Sequence, residues 1–160
     1  MSDSKDIILV NKPKGITSFD VIRQLRKKLG IRKMGHAGTL DPLATGLMII
    51  GVGDGTKKLH DYIKLDKSYV ADILLGTETT TGDLEGEIVN FTKLYEADED
   101  YIKELISVFE GEFLLMPPVY SAIKKDGKPL YKYAREGKEV KIEPRKMIVY
   151  KSKFLGLSEF

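Results

Sequence analysis

The sequence predicts one α+β domain with a mixed, mainly antiparallel sheet that is flanked by helices. Short apolar runs with the length of strands recur along the 160 residues. Segments with helical periodicity separate some of these runs, and the uneven spacing does not fit repeated βαβ units. A chain of this length can bury roughly two-thirds of its unfolded surface, which is enough for a core without disulfide or metal staples.

The first third of the chain is predicted to alternate strand, helix and strand. Residues 7–10 are an apolar run ending at a Lys-Pro-Lys-Gly loop, which is typical of a buried strand. Thr17 and Ser18 each offer an N-cap for a helix whose apolar residues keep helical spacing until Gly30 stops it. Residues 47–52 form a second buried run.

The rest of the chain carries shorter signals. They predict a short helix at 56–64, strands at 68–75 and 88–91, a helix at 98–109 and a closing strand at 147–157. Residues from about 112 to 138 contain too many prolines, glycines and lysines for a core element, so we expect a projecting loop with a short helix. No repeat or low-complexity linker divides the chain. We therefore expect a single domain over residues 1–160.

Composition argues against several classes of function. The chain has no cysteine and two histidines, which excludes disulfides and thiol catalysis and argues against a metal centre. No metal or cofactor is therefore expected. No apolar run approaches the ~20 residues that span a bilayer, and the first residues do not resemble a secretory leader. We expect a cytoplasmic protein with no membrane span.

The distribution of charge is more informative than the net charge of +2. Residues 12–33 carry eight lysines and arginines against one acid, Asp20, whereas residues 96–104 are strongly acidic. The basic run fits either a phosphate-binding surface or an ordinary solvated helix face. The acidic run has a structural explanation, because acids in the first turn of a helix suit its dipole.

The stretch most suggestive of chemistry is residues 35–46, GHAGTLDPLATG, directly before the second buried run. Pro42 disfavours a helical conformation at Asp41, and the glycines let backbone or ligand approach closely. The Asp41 carboxylate is therefore expected at the lip of the sheet. Taken alone, the Asp-Pro pair fits a structural Asx-turn as well as a catalytic role.

This stretch resembles the catalytic motif of the TruB family of pseudouridine synthases, Gly-His-x-Gly-x-Leu-Asp-Pro-x-Ala-x-Gly, at every fixed position. Three further blocks resemble the family in the same order: KPKGITS at 12–18, KSY at 67–69 with LGTETTTGD at 75–83, and FEG at 109–111 with PPVYSAIK at 117–124. The last block is similar to the family's RNA-clasping thumb loop. It departs from the pattern near Leu115 and Met116, where a glutamine usually precedes the prolines.

The resemblance implies an isomerase that converts a T-loop uridine of tRNA, at position 55 in this family, to pseudouridine without a cofactor. The bond between base and ribose is cut, the base turns, and its C5 joins the same sugar carbon. Asp41 would be the catalytic carboxylate, since carboxylates stabilise or trap an electron-poor glycosidic carbon. Addition to the sugar, addition to the base and an elimination route all remain open.

The resemblance also implies roles around the pocket. Tyr69 would stack on the target base and is a candidate general base, and His36 would contact the RNA beside the extracted uridine. Lys12 and Lys57 match basic positions near the pocket. Phosphates of the T-arm stem-loop would be bound by a further set of basic residues: Arg23, Lys27, Lys124, Lys125 and Arg135.

In this family the aspartate is paired with an arginine from a later block, roughly Gly-Thr-Tyr-Ile-Arg, which these residues do not contain. We therefore expect weak or no activity from the chain alone, with a second polypeptide as one source of the missing portion. The alternative is a non-catalytic tRNA- or RNA-binding module with the same fold. A third hypothesis, phosphate or dinucleotide binding at residues 51–58, has the wrong glycine spacing.

Overall fold

The computed structural model describes residues 6–93, 98–119, 121 and 123–158. Its α+β architecture, built from helices and small antiparallel strand pairings, confirms the predicted fold class. The chain divides into two compact units, Met1–Val70 and Ala71–Phe160. Tyr120 and Ala122 of the thumb-like block, and the first five residues, lie outside the described part.

The first unit contains a three-stranded antiparallel sheet in the order β1-β3-β2. Its elements are β1 (Ile7–Lys12), helix α1 (Ser18–Leu29), β2 (Met34–His36), β3 (Gly46–Val52), a 3-10 helix (Gly53–Lys58) and helix α2 (Leu59–Ile63). Lys12 is opposite Gly46 and His36 is opposite Ile50 in the two ladders. The loops that follow β1 and precede β3 therefore leave the sheet at the same end.

Helix α1 begins and ends where its local sequence signals predict. Of the two candidate caps, the structure uses Thr17, whose hydroxyl accepts a hydrogen bond from the Asp20 N–H at 3.1 Å. The Asp20 carboxylate accepts in return from the Thr17 N–H at 2.9 Å, which completes a capping box. Gly30 ends the helix with a left-handed φ of +70°. Ser18 is thus available for another partner.

The core of the first unit lies between α1 and one face of the sheet. Alternate residues of β3 face the helix, as expected for a strand with one packed face. The cluster of buried side chains consists of Val21, Ile22, Met34, Met48, Ile50 and Val52. Leu40, in the loop between β2 and β3, packs against this cluster. The loop is therefore held partly by its own apolar side chain.

The second unit is built from three two-stranded antiparallel pairs, β4–β5, β6–β9 and β7–β8. Its elements are β4 (Thr77–Thr79), β5 (Ile88–Phe91), α3 (Glu99–Ser107), β6 (Gly111–Leu115), β7 (Lys124–Lys125), β8 (Lys128–Pro129), α4 (Leu130–Arg135) and β9 (Arg145–Val149). The short helix predicted within the thumb-like insertion is confirmed as α4. The start of that predicted insertion is instead β6, which pairs with β9.

Other boundaries differ from the sequence predictions. Residues 56–64 begin as a 3-10 helix and only then become α2, and the closing strand is β9, which starts earlier and is shorter than predicted. The strand predicted at 68–75 was wrong, because these residues form no strand. Alternating side chains there suggested a pleated face, but a strand also needs a ladder partner. No helix among the described residues has the length and apolar character needed to cross a bilayer.

Candidate active site

Asp41 lies in the loop that connects β2 to β3, at the end of the three-stranded sheet. The Ala44 N–H donates to the Asp41 carbonyl at 3.1 Å, so the chain turns tightly just after Pro42. Gly38 and Gly46, with φ of +101° and +128°, occupy backbone conformations that side chains disfavour. Asp41 itself is exposed. The expected position of this residue at the lip of the sheet agrees with this geometry.

The loop after β1 packs against the carbonyl of Pro42. The Gly15 N–H donates to this carbonyl at 2.8 Å. Lys12 is fully buried, and its ammonium donates to the carbonyls of Pro13 at 3.0 Å, Ile16 at 2.8 Å and Pro42 at 3.3 Å. An ammonium has three N–H donors, so all of them are used within the protein.

Lys12, which matches a basic position near the pocket, has its ammonium next to the Asp41 loop but enclosed by backbone carbonyls. A contact to substrate needs a side chain that the substrate can reach, and the exposed fraction of Lys12 is 0%. Its ammonium joins the loop after β1 to the residue that follows Asp41. This contact between Lys12 and Pro42 could not be predicted from local sequence, because the two residues are thirty positions apart.

Ser18 holds the residue that precedes Asp41. Its hydroxyl donates to the Leu40 carbonyl and accepts from the Leu40 N–H, each at 2.9 Å, and its exposed fraction is 3%. The sequence prediction of the site missed this residue. The available signal was that two adjacent residues could cap α1 although one cap suffices.

His36 is the last residue of β2, and its ring turns back onto the same loop. Its Nδ1 lies 2.5 Å from the Gly38 carbonyl oxygen. A carbonyl oxygen can only accept, so Nδ1 carries the proton in this contact and Nε2 remains for another partner. The side chain is half-buried. His36, at the end of β2, is thus held against the loop that carries Asp41.

The other two predicted pocket residues lie on separate segments of the first unit. Tyr69 follows α2 in a stretch without regular secondary structure, and it is 72% exposed. Lys57, in the 3-10 helix, forms an ion pair with Asp54 at 3.2 Å, and Lys33 forms another at 3.1 Å. Hydrogen bonds from Lys33 and Lys57 hold the pKa of the Asp54 carboxyl below its ordinary value. The structure therefore ties His36, but neither Tyr69 nor Lys57, into the Asp41 loop.

The basic residues predicted to contact RNA are divided between the two units. On α1, the guanidinium groups of Arg23 and Arg26 lie 5.7 Å and 5.6 Å from the ring centre of Phe19, and Lys27 is exposed. Arg23 is also paired with Asp20. Arg23 is exposed at the surface, whereas Arg26 is half-buried and donates to the Met34 carbonyl at 3.2 Å.

In the second unit, the residues predicted to contact RNA lie on the β7–β8 hairpin and on α4. Lys124 is exposed on β7, while Lys125 donates to the Lys141 carbonyl. Arg135 is exposed at the end of α4. Within the ranges that the structure describes, no group of three or more histidine or acidic side chains is placed to hold a metal ion.

An α+β unit that presents an aspartate on a glycine-flanked Asp-Pro loop agrees with the family resemblance of the sequence. The family model described as TruB family pseudouridylate synthase (N terminal domain) matches residues 26–160. The chain belongs to this family.

Curated relatives carry the name tRNA pseudouridine synthase B. That of Endomicrobium trichonymphae is 42% identical over 150 residues, covering 94% of this chain and 65% of the relative. That of Cupriavidus metallidurans (strain ATCC 43123 / DSM 2839 / NBRC 102507 / CH34) is 45% identical over 148 residues, covering 92% of this chain and 47% of the relative. The chain thus spans about half to two-thirds of the length of these relatives.

Among solved structures, the crystal structure of a Cbf5-Nop10-Gar1 complex is similar, with a TM-score of 0.49 and 28% identity. The similarity covers 74% of this chain and 30% of that chain. The family assignment rests on the sequence matches.

Proposed function

We propose that this chain is the N-terminal catalytic portion of a tRNA pseudouridine synthase, which isomerises a uridine of the T-arm stem-loop with Asp41 as catalytic carboxylate. The proposal rests on one observation. Asp41 is exposed, while the residues on either side of it, Leu40 and Pro42, are both held by hydrogen bonds. The names of the curated relatives support the same reaction. A tRNA substrate would place the protein in the cytoplasm.

The chemistry requires a carboxylate that RNA can reach. When the base leaves, the glycosidic carbon becomes electron-poor, and a nearby carboxylate stabilises or traps it. The base then turns and forms a bond from C5 to the same carbon, after which C5 loses its proton and N1, freed from the sugar, gains one. The reaction is an isomerisation without net oxidation, so the proposal includes no cofactor. The exposure of Asp41 and its fixed backbone suit this role.

The substrate base must leave its stack to reach Asp41, which costs a few kcal/mol. The exposed ring of Tyr69 offers a face on which a base can stack, and its phenol is a candidate base for the final proton removal. His36 presents Nε2 beside the Asp41 loop because Nδ1 is held by Gly38. Lys57 adds a surface cation to the same unit, although its ammonium is paired with the carboxylate of Asp54.

Phosphate binding is assigned to the two basic groups described above. Arg23 and Lys27 of α1 form one group, and Lys124, Lys125 and Arg135 of the second unit form the other. Each phosphate that is neutralised releases counterions, so tRNA affinity should fall steeply as salt rises.

The test is release of tritium from tRNA labelled at C5 of uridine, with Asp41→Asn as the key variant. Asp61→Asn is the matched control, because Asp61 is an exposed aspartate of the same unit and the chemical change is identical. We expect Asp41→Asn to abolish release and Asp61→Asn to leave it unchanged, while both bind tRNA like the wild type.

Since the curated relatives are longer than this chain, the assay should be run with the chain alone and with the remaining C-terminal portion of a relative added. We expect slow or undetectable release from the chain alone and faster release after the addition. Retention of tRNA without release in either condition would instead favour the non-catalytic RNA-binding module.

A further inference from the structure

The Ser18 hydroxyl contacts both polar backbone atoms of the residue immediately before Asp41. We propose that Ser18 is a positioning residue for Asp41, acting through the backbone of Leu40; the proposal rests on the function proposed above. It goes beyond the motif that contains Asp41, since Ser18 belongs to helix α1 and is twenty-two positions away from Leu40.

The geometry of this contact fixes the direction in which the chain enters Asp41. The Leu40 carbonyl, which accepts from Ser18 at 2.9 Å, belongs to the peptide group that joins Leu40 to Asp41. That group is planar, so holding its oxygen also holds the nitrogen of Asp41. The Leu40 N–H, also 2.9 Å from the hydroxyl, belongs to the preceding peptide group. One hydroxyl therefore restrains two consecutive peptide planes.

Ser18 belongs to an element that is packed into the core of the first unit. Ser18 is the first residue of α1, directly after the capping residue Thr17, and its exposed fraction is 3%. The next turn of the helix places Val21 and Ile22 in the core of the first unit. The Leu40 side chain packs against the same core. The hydroxyl thus connects two segments that the core already holds.

A second anchor lies on the other side of Asp41. The Pro42 carbonyl accepts from the Gly15 N–H at 2.8 Å and from the Lys12 ammonium at 3.3 Å. Asp41 therefore stands between two restrained neighbours while remaining exposed itself. Removing the Ser18 hydroxyl would release one side only, which makes its effect separable from loss of the whole loop.

Loss of this restraint should affect the chemical step more than tRNA binding. A displacement of ~1 Å at a reacting group can cost on the order of a hundredfold in rate. We expect Ser18→Ala to lower the single-turnover rate of tritium release at saturating protein by about tenfold or more, with tRNA affinity within about twofold of the wild type. Ser18→Thr, which keeps the hydroxyl, should recover part of the rate.

The control is Thr17→Ala, which removes the neighbouring cap of the same helix without touching Leu40. Each variant is prepared as the full chain, and amide hydrogen exchange at Leu40 is measured by NMR alongside activity. We expect faster exchange at Leu40 in Ser18→Ala and in the similarly sized Ser18→Cys, whose thiol is a weak hydrogen-bonding group. Thr17→Ala should speed exchange at Leu40 no more than it does at other amides of the first unit.

Two results would overturn the proposal. One is unchanged exchange at Leu40 in both Ser18→Ala and Ser18→Cys. The other is an equal loss of rate in Ser18→Ala and Thr17→Ala, which would show an effect of helix stability alone. If the wild type releases no tritium even after addition of a relative's C-terminal portion, the proposed function fails, whereas exchange at Leu40 still decides whether Ser18 holds the loop.

Discussion

The two units of the chain are both built from short antiparallel strands, yet they differ in what those strands bury. In the first unit, α1 covers one face of the sheet, and Ile50 of the central strand is completely buried. In the second unit, all four residues of β5 are exposed, and helix α3 has no buried residue. Strand pairing therefore occurs in both units, whereas a packed layer of helix on sheet is seen in the first.

The difference matters because the candidate catalytic residue belongs to the packed unit. A reacting group must be held within about 0.5 Å of its productive position, and supports on rigid elements achieve this better than loops alone. Asp41 is on a loop, but its two neighbours are hydrogen-bonded to regular elements. Leu40 is held by Ser18 at the start of α1, and Pro42 is held by Lys12 at the end of β1. The core of the first unit thus supports the site.

The largest effect should come from truncating a core side chain of the first unit. Ile50→Ala would leave a cavity in the packed cluster and lower the free energy of unfolding by about 2–5 kcal/mol. A urea titration followed by NMR signals of β3 would measure it. The matched control is Ile88→Ala in β5, where Ile88 is 65% exposed.

We expect the Ile88 variant to lose less than about 1 kcal/mol, in line with the range of strand propensities. A comparable loss in both variants would mean that the second unit buries β5 as firmly as the first buries β3, and the contrast between the units would then be wrong.

A smaller effect should come from the helix caps, one in each unit. Thr17→Ala removes the capping box of α1 and should destabilise the first unit by about 1 kcal/mol. Asp98→Ala removes the carboxylate that accepts from the N–H groups of Asp100 and Tyr101 at the start of α3. Helical circular dichroism and the urea midpoint of the first unit would be measured for both.

Because α3 has no buried residue, we expect Asp98→Ala to reduce helical signal without shifting the midpoint of the first unit. A midpoint shift equal to that of Thr17→Ala would show that the stability of the first unit depends on α3.

The smallest effect is a pH dependence at the start of α1. Hydrogen bonds from the side chain and the N–H of Thr17 hold the pKa of the Asp20 carboxyl below its ordinary value of 3.8. The ionised Asp20 carboxylate therefore stabilises the folded state fully above pH 3.8, and this contribution is lost as pH falls through the lower pKa of the folded state. The difference in urea midpoint between the wild type and Asp20→Asn should shrink between pH 7 and acid pH. A difference that stays constant would show that ionisation of Asp20 does not contribute.

Local signals predicted the best-defined elements. For helix α1 the sequence predicts the Gly30 end and narrows the cap to Thr17 or Ser18, because both signals depend on residues within one turn of the helix. The strand at 68–75 was predicted wrongly because alternation reports a pattern of side chains and not the presence of a hydrogen-bonding neighbour. No linker composition separates the two compact units, so their boundary has no local sequence signal either.

The same limit applies to the candidate site. The motif identified Asp41, on the loop after β2, and His36, at the end of β2, because both lie in one contiguous stretch of sequence. Lys12 and Ser18 contact Pro42 and Leu40 because the fold places the chain after β1 beside the loop after β2, and no local sequence signal reports this. The site roles of Asp41, His36, Tyr69 and Lys57 stay predictions until the variants are assayed.

The burial of Lys12 has a practical consequence for chemical labelling. Acylating reagents need access to the amine nitrogen, and in the folded chain this nitrogen is enclosed by three carbonyls. Lys12 should therefore remain unmodified while exposed lysines such as Lys27 react, and it should react only in molecules whose Asp41 loop has opened. The rate of Lys12 modification, followed by mass spectrometry, would therefore report how often the Asp41 loop opens.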